Sequence, residues 1–166
     1  MRILGIDPGT AIMGFGLIEK NGNKLTVLDY GCWRTGADLS AADRLLALYN
    51  TLSDFLSIHH PDHLAVESLF FNSNVKTALT VGQARGVVLL AGAQKECRIA
   101  EYTPLQVKQA VVGYGKADKK QVQFMVRALL GLSVVPQPDD AADALAVAIC
   151  HGHCCRSGTV GECAGV

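Results

Sequence analysis

The sequence predicts an α/β protein: a mixed five-stranded sheet, three antiparallel strands followed by parallel ones, flanked by helices. Three observations lead there. Residues 1–30 hold three short β-prone runs joined by tight turns, the pattern of a hairpin-linked meander. Beyond residue 40, stretches of helical periodicity alternate with two further short apolar runs, and strands separated by helices pair in parallel. At 166 residues the chain is long enough to bury a real core as one domain.

Taken in order, Ile3 to Ile6 is the first strand, and it runs into the turn Asp7-Pro8-Gly9-Thr10. A buried strand ending in a carboxylate and a Pro-Gly turn sets that acid at the rim of a sheet, where α/β folds place their chemistry. A turn-capping aspartate is the equally good alternative on this stretch alone. Met13 to Glu19 reads as the second strand, Asn21-Gly22-Asn23 as a turn and Lys24 to Tyr30 as the third strand. Gly14 and Gly16 leave one face of the second strand bare, which suits close approach by another element or a ligand.

Ser40 with Asp43 resembles a capping box, and Leu45, Leu48, Leu52, Phe55 and Leu56 mark one face of a helix reaching His59. After Pro61-Asp62, His63 to Glu67 is a short buried strand that also ends in a carboxylate. Val75 to Glu96 is a long helix, apolar or small almost all the way round, which suggests a subunit interface. Arg98 to Tyr102 is the fifth strand and Pro104 to Val112 a short helix, followed by a Gly113-Tyr114-Gly115 loop. Asp118 with Gln121 forms a second capping box opening a helix to Leu130. A last helix opens at Asp139, expected as its N-cap, and runs through Ile149. The sequence thus divides into a folded domain over residues 1–155 and a Gly-rich tail, 156–166, expected to be flexible.

Composition narrows the function classes. No apolar run reaches the roughly 18 to 20 residues that cross a bilayer, and Met1-Arg2 leads into strand without a cleavage site. A cytoplasmic protein with no membrane association is the expectation. Six cysteines crowd toward the end of the chain without a disulfide pattern. The run Cys150-His151-Gly152-His153-Cys154-Cys155 lacks the paired spacings of structural zinc sites, so free thiols near a helix end account for it better. Net charge is zero, yet Leu105 to Arg127 carries five basic residues (Lys108, Lys116, Lys119, Lys120, Arg127) against Asp118 alone. A solvated helix face and a phosphate contact explain that stretch equally well.

Four acids form the candidate constellation. Asp7 and Glu67 end separate strands, and if those strands are neighbours both acids emerge from one rim. Asp140 and Asp143 lie three apart on a helix and share a face. Acids in a first helical turn also meet the macrodipole favourably, which is the structural alternative for that pair. Glu67 follows Leu-Ala-Val in a buried strand, where an unpaired carboxylate is costly. Four carboxylates at one rim repel unless divalent cations neutralise them. Magnesium or manganese suits such oxygen ligands, and two ions can clamp the attacking water and the leaving oxygen of a phosphodiester.

With those residues in view, the chain resembles the RuvC-type Holliday junction resolvases of the RNase H-like fold. The resemblance rests on Gly5-Ile6-Asp7-Pro8-Gly9, Val66-Glu67-Ser68-Leu69-Phe70-Phe71, Gly82-Gln83-Ala84-Arg85-Gly86 and Pro104-Leu105-Gln106-Val107-Lys108. It continues through Val111 to Lys119 and Asp140-Ala141-Ala142-Asp143-Ala144-Leu145-Ala146, in order over residues 1–153. It implies an endonuclease that resolves four-way DNA junctions by paired nicks, leaving 5′-phosphate and 3′-hydroxyl ends, in recombination and repair. Asp7, Glu67, Asp140 and Asp143 would bind two Mg²⁺ per subunit, with Mn²⁺ able to substitute. Some members have a His at the position of Asp140; here the set is all-carboxylate. Lys108 and Lys119 match lysines at the DNA backbone and scissile phosphate, and Lys116 joins them as a DNA-binding candidate. Phe70 matches an aromatic inserted at the junction centre, its alternative being a plain core Phe. The resemblance further implies a homodimer working with the RuvA–RuvB branch-migration complex.

Two rivals remain at this point. Gly5 to Thr10 also resembles the first phosphate loop of actin-like ATPases and sugar kinases, which need a second such domain. A catalytically silent junction-binding module is the other, though a phosphate binder gains nothing from collecting carboxylates.

Overall fold

The computed structural model describes residues 1–68 and 75–155; Phe70 and the stretch 156–166 lie outside the described residues. Elements follow the order β1 (Arg2–Asp7), β2 (Ile12–Asn21), β3 (Lys24–Arg34), α1 (Ala41–His59), β4 (His63–Glu67), α2 (Val75–Gln94), β5 (Arg98–Tyr102), α3 (Pro104–Val112), α4 (Lys119–Leu129) and α5 (Asp139–Cys154). The sheet runs β3-β2-β1-β4-β5, with β1 in the middle. β1 is antiparallel to β2 and parallel to β4, and β4 is parallel to β5. This is the mixed five-stranded sheet that the alternation of strands and helices predicts.

Strand alternation sorts the core into two layers. Leu4, Ile6, Leu17, Leu64 and Val66 face Leu48, Leu52 and Leu56 of α1 and Ala84, Val88 and Ala91 of α2. On the other face Ile3, Ile18, Ala65 and Tyr102 meet α3, α4 and the buried side of α5, Leu145 to Cys150. Because side chains alternate with period two, the residues that share this second face include Asp7 at one end of β1 and both His63 and Glu67 on β4.

Glycines set how close α5 comes. A Cβ on Gly5 would lie 2.2 Å from the Ala144 carbonyl oxygen, and one on Gly14 would lie 2.0 Å from that of Asp140. Both obstacles are helix backbone, so any side chain there would push α5 off the sheet. The bare strand face expected from Gly14 and Gly16 is therefore the seat of a helix.

β3 extends four residues past Tyr30, to Arg34. Its continuation is held by packing that local pattern does not report: Trp33 pairs with Met13 and stacks on Phe15 with centroids 4.5 Å apart. The Ser40 hydroxyl accepts from the Asp43 N–H at 3.2 Å, and Asp118 with Gln121 forms a reciprocal capping box. α2 stops at Gln94, short of Glu96, which takes a positive φ of 56°. The expected N-cap role of Asp139 is not what the fold uses. Pro138 is the N-cap, and Asp139 points outward to accept from Gln123 Nε2 at 2.8 Å and pair with Lys119 at 3.2 Å. Two partners from α4 outcompete a turn of local backbone for that carboxylate. Among the described residues no helix is long and apolar enough to cross a membrane.

Candidate active site

β1 and β4 pair in register up to Ile6 and Val66, so Asp7 and Glu67 follow at the adjacent rim of neighbouring strands. Asp7 sits opposite Gly14 on β2, and the start of α5 lies directly over Gly14. That contact delivers Asp140 above the end of β1, with Asp143 three residues further on. The close approach that two glycines allow is what brings the helical acids to the strand acids.

The electrostatics record this crowding. Burial, then the charges of Asp143 and Asp140, push the Asp7 carboxyl up to about 7, against a smaller opposing pull from Lys119. Glu67 is likewise pushed up to about 7 by burial and then by Asp7 and Asp143, with Lys108 opposing. Asp143 is raised by burial despite its bond to Lys119. Half-buried acids that raise one another's pKa form a site short of positive charge.

Two lysines border it. Lys119, at the first position of α4, pairs with Asp139 and Asp143, each at 3.2 Å. Burial lowers its pKa, but hydrogen bonds to the two aspartates outweigh that and raise it. Lys108 of α3 lines a cleft of about 260 Å³ together with Glu67, Lys119, Asp143 and the apolar Pro104, Val107, Val122 and Ala146. Lys116 is exposed in the turn between α3 and α4 and does not line that cleft. Phe70 follows Glu67 by three residues but lies outside the described residues.

The donor set is all carboxylate oxygen, from three elements converging on one rim. Hard divalent cations fit such donors; softer ions call for nitrogen or sulfur. Strand acids, helix acids and two bordering lysines thus meet at one rim of the sheet. Residues 3–151 match the family model described as crossover junction endodeoxyribonuclease RuvC. The chain belongs to the RuvC family. It is 65% identical over 153 residues to the crossover junction endodeoxyribonuclease RuvC of Desulfitobacterium hafniense, covering 92% of this chain and 93% of that one. With the corresponding protein of Halothermothrix orenii it shares 59% over 156 residues, covering 94% of each. Among solved structures, T. thermophilus RuvC in complex with Holliday junction substrate superposes with a TM-score of 0.87 at 36% identity, covering 92% of this chain and 93% of that one.

Beyond the acids, sequence reasoning overlooked two neighbours of this RuvC-family site. Cys32 lies opposite Gly14 in the β2–β3 pairing, and burial followed by the charges of Asp140 and Asp7 pushes its thiol up. Its place on β3 lies beyond Tyr30, where the sequence pattern ends the strand, so no local signal marked it. Gln123 and Asp139 together hold the start of α4 against the start of α5. That link depends on the packing of two helices and has no sequence signature.

Proposed function

We propose that Asp7, Glu67, Asp140 and Asp143 hold two Mg²⁺ ions, with Mn²⁺ a competent substitute, and that they form the catalytic centre of a Holliday junction resolvase. The observation that carries this is the convergence of four carboxylates at one rim, where burial and neighbouring acidic charge push Asp7 and Glu67 up to about 7, beside a cleft lined by two lysines. When bound, the ions would activate the attacking water and stabilise the departing oxygen of a phosphodiester. The product ends expected are a 5′-phosphate and a 3′-hydroxyl.

The chain's own residues do the rest. β1 and β4 fix Asp7 and Glu67 on rigid strands, and α5, seated on glycines, fixes the other two acids. Lys119 balances the charge of Asp143 in the absence of substrate and would turn to a phosphate when DNA arrives. Lys108 offers a second positive charge at the cleft, and Lys116 a more distant one along the DNA. Phe70, on the segment after Glu67, would stack on bases unpaired at the junction centre.

Two symmetric nicks call for two sites related by a two-fold axis, so the working unit is a homodimer. The interface we favour is the outward face of α2. Leu79 and Leu90 are 65% and 53% exposed there, and Gly86 between them has open space where a Cβ would stand. Family membership supports cooperation with a RuvA–RuvB complex and action in the cytoplasm. The test is a nicking assay on a synthetic four-way junction with Mg²⁺, with both strands mapped. Paired symmetric nicks that vanish in Asp7→Asn are expected; equal cutting by the variant would remove Asp7 from the mechanism.

A further inference from the structure

At the opposite end of the sheet from the acids, three potential metal ligands meet that no local spacing reveals. His63 opens β4, His151 lies in the last turn of α5 and Cys155 caps that helix. One ligand atom from each lies within 4.8 Å of the others. The two imidazoles are 7% and 1% exposed, so they are not surface groups that happen to be near. We infer that His63, His151 and Cys155 form a second metal site, selective for a borderline-soft ion of the zinc type and distinct from the oxygen-lined centre.

The contacts suit a ligand set. His151 Nε2 and His63 Nδ1 stand 2.8 Å apart, a contact that needs one hydrogen between two ring nitrogens. An ion that replaces this hydrogen needs the nitrogens only slightly further apart, about 3.3 Å for tetrahedral Zn–N bonds of about 2.05 Å. The other nitrogen of His151, Nδ1, lies 2.8 Å from the Tyr102 hydroxyl. With Nδ1–H donating to that oxygen, Nε2 presents its lone pair toward His63, the outer hydrogen bond that orients ligating histidines. Lys20 Nζ donates to the carbonyls of Gly152 and Cys155 at 2.5 and 2.6 Å, which holds the end of α5 where the thiol can reach. Two nitrogens and a thiolate exclude Mg²⁺ by ligand type, and a solvent molecule would complete four-coordination.

The site has a place in the architecture. An ion there fastens the first residue of β4 to the last turn of α5, and the opposite ends of the same two elements carry Glu67 and the pair Asp140 and Asp143. It braces the frame on which three of the four acids stand.

Cobalt provides the test, because thiolate bound to Co²⁺ gives a near-ultraviolet charge-transfer band that carboxylates do not. The metal-free full-length protein is titrated with Co²⁺ in excess Mg²⁺, which occupies the oxygen-lined centre. The expected result is a band saturating at one equivalent, bleached by Zn²⁺, lost in Cys155→Ser and weakened about tenfold or more in His63→Gln. Circular dichroism of the variants checks that they remain folded. Zn²⁺ should raise Tm in the wild type and leave that of Cys155→Ser unchanged. Absence of the band, its persistence in Cys155→Ser, or its resistance to Zn²⁺ would overturn the site, and none of these outcomes bears on the nuclease centre.

Discussion

Replacing Asp7 by Asn should stabilise the metal-free protein while destroying its activity. In the fold Asp7 titrates near 7, against 3.8 for an unperturbed Asp, because burial and the charges of Asp143 and Asp140 oppose ionisation. A carboxyl whose pKa is higher folded than unfolded favours folding only while protonated. Stability is therefore lost as pH rises from the unfolded value through the folded one, from about 4 to about 7. At about 1.4 kcal/mol per pH unit, the ionised Asp7 costs the fold about 4 kcal/mol above that window, of which roughly 2–3 kcal/mol develops between pH 5 and pH 8. The share arising from repulsion with Asp143 and Asp140 belongs to the interacting acids together and counts once. Asn keeps the shape and removes the charge. Urea unfolding in EDTA should therefore show wild-type stability declining from pH 5 to pH 8, a flatter profile for Asp7→Asn, and a variant more stable than wild type at pH 8. Mg²⁺ should restore the wild type at pH 8 and do much less for the variant. A wild-type profile that is flat or rising over this range, or a variant less stable than wild type at pH 8, would refute the reasoning.

Other perturbations probe the frame and the borders of the site. Gly14→Ala places a methyl against the Asp140 carbonyl; about 1–3 kcal/mol of destabilisation from overpacking is expected in urea unfolding, with cleavage falling further than junction binding. Lys119→Ala should slow cleavage roughly 10- to 100-fold, the rate equivalent of the about 1.5–3 kcal/mol carried by a hydrogen bond to a charged group. It should also make the salt dependence of junction binding shallower by about one unit; an unchanged rate would return Lys119 to a solvated helix face. Sedimentation at micromolar concentration should find a wild-type dimer that Leu90→Glu converts to monomer, and a wild-type monomer would count against the α2 interface.

Much of this fold is legible in the sequence because its signals are local. The short apolar runs Leu-Gly-Ile-Asp and Leu-Ala-Val-Glu, the caps at Ser40 and Asp118, the break at Pro61 and the helix start at Pro104 each act within a few residues. What escaped reading depends on distant partners. β3 continues to Arg34 because Trp33 stacks on Phe15 across the sheet. Asp139 gives up the N-cap because α4 brings Lys119 and Gln123 to it. The Cys150 to Cys155 run shows no metal spacing because one proposed ligand, His63, lies 88 residues from His151. The bare glycine face was legible as a place of close approach, whereas its occupant required the topology. The acids fared best: two strand ends and one helical turn are positions that sequence assigns well, and parallel pairing of β1 with β4 brings the first two together.

The central claim is that four carboxylates act as one cation-holding catalytic unit. Its most direct test measures cleavage and binding of a synthetic four-way junction side by side for Asp7→Asn, Glu67→Gln, Asp140→Asn and Asp143→Asn in Mg²⁺. The account predicts that all four bind the junction at least as well as wild type, since each removes a negative charge facing DNA, and that none cuts it. Wild-type cutting by any one of them would contradict it.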